Sequence, residues 1–81
     1  MMPDNITDLV EYIVKALVDE PDKVSVNEIL GEQAIVLELR VSQPDIGKVI
    51  GKQGRIVKAI RLLLGAAGAK AKKRIVLEII E

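Results

Sequence analysis

Ile46-Gly47-Lys48-Val49-Ile50-Gly51-Lys52-Gln53-Gly54-Arg55-Ile56-Val57-Lys58-Ala59-Ile60-Arg61 is the stretch on which the fold turns. Gly51 and Gly54 stand three apart and bracket Lys52-Gln53, and aliphatic residues recur at helical spacing on both sides. The pattern predicts two helices joined by a short loop with positive charge and little side-chain bulk. Such a loop needs a platform beneath it, and the flanking sequence supplies one.

On the N-terminal side, Ile6, Leu9, Val10, Ile13, Val14, Leu17 and Val18 form one broad apolar helical face. Asp4 or Asn5 is placed to cap this helix, and Pro21 is expected to stop it. Lys23 to Leu30 and Gln33 to Val41 are rich in β-branched and aliphatic residues, with Ile35, Leu37, Leu39 and Val41 alternating on one face. With Gly31-Glu32 as the turn, they predict an antiparallel hairpin. Ser42-Gln43-Pro44-Asp45 has the form of a helix start, the serine as cap and the acid three residues on. The helix it opens, Pro44 to about Ile50, is too short to stand without tertiary contacts.

Beyond the loop, a helix is expected from Gly54 to about Ala67, with Ile56, Ile60, Leu63, Leu64 and Ala67 inward and Gly65 and Gly68 marking its end. Lys72 to Ile80 alternates again and predicts a final strand. The order is α-β-β-α-α-β, one domain over residues 1–81, of the α+β class. Elements with one-sided apolar faces imply a two-layer α/β sandwich, helices on one side of a three-stranded sheet.

Composition agrees with a small packed domain. Of the 81 residues 49% are hydrophobic, almost all aliphatic, and Tyr12 is the only aromatic. Charged residues make up 30%, a soluble globular balance. Without cysteine there are no disulfides or thiolate metal sites, and without histidine the commonest general base and metal ligand is missing. No apolar run approaches the roughly 20 residues of a membrane helix, and the N-terminus lacks the pattern of a secretory signal, so a cytoplasmic protein is expected. The net charge of zero hides an asymmetry. Residues 1–39 hold nine acids and two bases, and residues 40–81 hold ten bases and three acids, −7 against +7. Charge parted in this way suits a polyanion partner for the basic half.

The glycine loop lies in that half. A phosphate chain can approach a main chain stripped of Cβ atoms, and the helix opening at Gly54 directs free N–H groups and a positive dipole end toward an anion. Lys52 and Arg55 add charge, and Lys48 stands one turn upstream of Lys52. Other phosphate-binding loops fit less well. A P-loop needs another residue between its glycines and a Ser or Thr after the lysine, and the dinucleotide fingerprint needs a first glycine pair that is absent. An ordinary inter-helix turn would also use glycine. Gly65-Ala66-Ala67-Gly68 has the same spacing without charge inside it.

Val49-Ile50-Gly51-Lys52-Gln53-Gly54-Arg55-Ile56-Val57-Lys58-Ala59-Ile60 resembles the V-I-G-x-x-G-x-x-I-x-x-I signature of the KH RNA-binding family, with Val57 where isoleucine is frequent. The element order resembles the prokaryotic, type II form of that fold, and the resemblance covers nearly the whole chain. It is nearest to the KhpA-type group of small bacterial proteins, each a single KH domain. KH domains hold about four single-stranded nucleotides beside a G-x-x-G loop. By that resemblance Gly51, Lys52, Gln53 and Gly54 would contact phosphates. Ile46, Ile50 and Val57 would be candidates for an apolar groove, and Lys48, Arg55 and Lys58 would supply flanking charge. The strands carry no aromatic residue, as recognition by base stacking on a sheet would need.

The expectation is a non-catalytic binder of single-stranded RNA, an RNA chaperone or post-transcriptional regulator, with no cofactor and no metal. Ser25, Ser42, Thr7 and Tyr12 have no histidine to activate them. The alternative is a protein-interaction module. The last helix and the acidic half offer surfaces for a homodimer or for a heterodimer with another KH-containing protein, as the resemblance also implies.

Overall fold

Asn5 is extended, and its side-chain oxygen accepts the Asp8 N–H at 2.9 Å, satisfying one of the free donors at a helix start. The computed structural model describes residues 5–81, so Asp4, the other cap candidate, lies outside it. Helix α1 runs over Ile6–Leu17 and buries Val10 and Val14. It ends before Pro21: Val18 is already extended, and its N–H closes on the Val14 carbonyl. Pro21 instead opens a single 3-10 turn, Pro21–Lys23, because its fixed φ and missing N–H suit a first helical position.

Strand β1 (Ser25–Leu30) pairs antiparallel with β2 (Ala34–Arg40), Val26 opposite Leu39 and Ile29 opposite Val36. Lys23, expected in the first strand, belongs to the preceding turn. At the hairpin end the Gly31 N–H reaches the Ala34 carbonyl at 2.8 Å. Strand β3 (Arg74–Ile80) lies parallel to β2 with Ile35, Leu37 and Leu39 beside Ile75, Leu77 and Ile79. The sheet order is therefore β1-β2-β3, with β2 central. The parallel pair requires a crossover, made by helices α2 (Ile46–Ile50) and α3 (Arg55–Ala71).

Leu37, Leu39 and Leu77 pack with Val10, Val14, Val49, Val57, Ile60 and Leu64 to form the core. The two layers and the α-β-β-α-α-β order are those of a type II KH fold.

Helix α3 differs from the sequence expectation in two ways. Its inner row is Val57, Ile60, Leu64 and Gly68, rotated from the expected one, so Leu63 faces solvent. It also continues through Gly65 and Gly68 to Ala71. Gly68 is a contact point and not an end. A Cβ there would run into the Lys73 carbonyl oxygen, so glycine lets α3 close onto the start of β3. The rotation adopted puts this glycine on the buried face. The helix stops at Lys72, left-handed at φ 59°, with the Lys73 N–H on the Gly68 carbonyl at 2.9 Å.

Candidate nucleic-acid interface

The glycine loop owes its shape to three residues with positive φ. Gly51 ends α2 at φ 74°, ψ 176°, a conformation open essentially to glycine alone, and its N–H reaches the Gly47 carbonyl at 2.9 Å. Gln53 (φ 57°, ψ 25°) and Gly54 (φ 75°, ψ 16°) are left-handed. Between them the chain makes a 3-10 turn, Lys52–Gly54, with the Gly54 N–H on the Gly51 carbonyl at 3.2 Å. Gly51 is needed for space as well. A Cβ there would stand 2.6 Å from the Ile56 side chain, which is tucked beneath the turn. At Gly54 the nearest atoms would be 3.8 Å away or more, so only its backbone angle favours glycine.

The left-handed Gln53 is a feature that sequence reading did not anticipate. A non-glycine residue held there is mildly strained and needs surrounding structure to keep it. It is followed by the left-handed Gly54, and the Gln53 side chain stands exposed at the loop tip beside that of Lys52.

Positive charge surrounds this turn. Lys52, Arg55 and Lys58 are exposed and form no ion pair among the described residues. No side chain caps the first turn of α3, which leaves the positive end of a 17-residue helix directed at the loop. Lys48 stands on α2 and touches the Asp19 carboxylate at 3.4 Å. Arg61, next in the row after Arg55 and Lys58, turns away and donates to the Leu77 carbonyl on β3.

The three aliphatic candidates separate. Ile50 is 36% exposed beside the loop and Ile46 is half-buried, so both can offer apolar surface. Val57 is 6% exposed and packs in the core, so it offers no open apolar surface.

Asp45 has a different role from the helix-start acid expected of it. It is 1% exposed, and its carboxylate does not bond back to the Ser42 N–H as a capping pair would. One oxygen accepts the Asp19 N–H at 3.2 Å; the other accepts the Glu20 N–H at 3.0 Å and the Ser42 hydroxyl at 2.9 Å. Burial pushes its pKa up, but the Asp19, Glu20 and Ser42 donors and the nearby Lys48 charge outweigh burial and hold it below the ordinary value. One sequence signal was available: Asp45 is the lone acid between Glu38 and Glu78.

The KhpA/KhpB KH-domain family matches residues 7–79. This chain belongs to that family. RNA-binding protein KhpA of Clostridium perfringens is 62% identical over 73 residues, 90% of this chain and 97% of the relative. The KhpA of Borreliella burgdorferi is 56% identical over 77 residues (95% and 94% of the two chains), and that of Aquifex aeolicus 57% over 76 (94% and 96%). No solved structure gives a significant match. Among the described residues, no helix of this KhpA-family chain is long and apolar enough to cross a membrane.

Proposed function

We propose that the chain binds single-stranded RNA without catalysing a reaction. In this reading Gly51–Gly54 holds the sugar-phosphate backbone, and Ile50 and Ile46 offer apolar surface to the bases. Lys48, Lys52, Arg55 and Lys58 supply the electrostatic attraction. The observation that carries the reading is the loop itself. Three positive-φ residues fold it tightly against Ile56, at the uncapped start of α3, with unpaired cations around it. Relatives bearing the name RNA-binding protein support the same reading. The process it fits is RNA chaperoning or post-transcriptional control in the bacterial cytoplasm.

The test is a Lys52→Asp, Gln53→Asp double variant assayed by filter retention of an unstructured RNA. Both side chains are exposed, and aspartate tolerates the left-handed position, so the fold should persist while binding is lost. Undiminished affinity in a folded variant contradicts the proposal.

A second reading, self-association or pairing with another KH protein, draws on one observation. On the outer side of α3, Leu62 is 76% and Leu63 56% exposed, between exposed Ala59 and Ala66. Ala59, Leu62, Leu63 and Ala66 stand at i, i+3, i+4 and i+7 and form one exposed stripe that suits a partner helix. Sedimentation of the chain and of a Leu62→Glu variant, with and without RNA, separates the two readings. A strict monomer that binds RNA tightly removes the need for the second.

A further inference from the structure

We propose that Asp45 is a positioning residue for the Gly51–Gly54 loop, locking α2 to the chain that leaves α1. The inference rests on the RNA-binding reading above and assigns a role to a side chain outside the loop. Helix α2 has five residues, fewer than a helix needs to hold itself in water. Its orientation therefore comes from its attachments. Val49, fully buried, pins one side. Asp45, the residue before its first turn, fixes its start by gathering the Asp19 and Glu20 N–H groups and the Ser42 hydroxyl. The same segment sends the Asp19 carboxylate to Lys48 on the helix surface. Two consecutive N–H donors on a single carboxylate constrain direction as well as distance. The far end of α2 is Gly51, so a tilt at its start is transmitted to the loop within two turns. The acid is 1% exposed and need not touch RNA to act.

The experiment compares the wild-type chain with Asp45→Asn and Ser42→Ala. Each is labelled with nitrogen-15 and titrated with a fluorescein-labelled unstructured ten-nucleotide RNA over a salt series, at a temperature where circular dichroism shows it fully folded. Asparagine keeps the shape but in either orientation turns an NH2 against a backbone N–H. In Asp45→Asn the Gly51 and Gly54 amides should shift, and affinity should fall about fivefold or more, the low end for coupled sites. The salt slope should not change, because no phosphate contact is removed. Ser42→Ala, which loses one bond, should move the same amides less and weaken binding by about twofold.

Amide shifts confined to residues 18–20 and 42–46 with unaltered affinity would overturn the proposal, as would a flatter salt slope. If Asp45→Asn does not fold, Ser42→Ala decides: unmoved loop amides and wild-type affinity overturn it. A wild-type chain that fails to bind RNA refutes the binding reading alone, and the loop amides still judge whether Asp45 positions them.

Discussion

A methyl group added at residue 51 would press into Ile56 from a backbone conformation that only glycine adopts with ease. Strain and overpacking each cost about 1–3 kcal/mol, so Gly51→Ala should destabilise by about 3 kcal/mol in urea unfolding. Gly54→Asn should cost less than about 1 kcal/mol, because asparagine accepts the left-handed region and the space is open. Two glycines alike in sequence thus differ in what they tolerate. Asp45 makes a prediction about pH. Its folded pKa lies below the ordinary 3.8, so the unfolded chain binds this proton more readily. The stability it supplies is full above that ordinary value and is lost as pH falls through the lowered one. Thermal melts followed from neutral pH into acid should show the wild type losing stability below about pH 4. Asp45→Asn, already less stable at neutral pH, should show a shallower loss over the same range.

Among the elements, the faces of α1 and β2 were legible in the sequence because burial imposes a simple period. Ile6, Val10 and Val14 on α1, and Leu37 and Leu39 on β2, are where periodicity places them. Helix α3 was less legible. Ile56, Val57, Leu62, Leu63 and Leu64 leave several rotations open, and the one adopted buries Gly68, where a Cβ would meet the Lys73 carbonyl oxygen. Pro21 stands where a helix could stop, yet the chain leaves α1 three residues earlier, with Asp19 and Glu20 donating to Asp45, 26 and 25 residues away. No local rule reveals such a bond. Two alanine substitutions separate the roles of the α3 glycines. Gly68→Ala must push β3 away and should destabilise by about 2–3 kcal/mol. Gly65 has open space around its Cβ position, so Gly65→Ala should stabilise by about 0.5–1 kcal/mol through helix propensity. Paired urea titrations read both signs. The loop, by contrast, was legible as a motif, while the left-handed Gln53 and the buried Val57 emerged only from the fold.

For the whole molecule, the charge division sets the expected behaviour toward a polyanion. Nine of the twelve acids fall within residues 1–39, while Lys52, Arg55 and Lys58 gather at the loop and the start of α3. Binding should therefore weaken with salt, log affinity falling with log salt by about 0.7 for each phosphate neutralised. Lys58→Ala should lower that slope by about the same 0.7 if its ammonium meets a phosphate. Fluorescence anisotropy over a salt series reads both. The decisive question is where the RNA lies. An unstructured RNA titrated into nitrogen-15-labelled protein, followed by amide chemical shifts, addresses it directly. The largest changes are expected at Gly51–Gly54, Arg55 and the end of α2 near Ile50. Changes confined to the open sheet face around Val36 and Val76, or to Ala59–Ala66 on α3, would contradict this placement of the RNA.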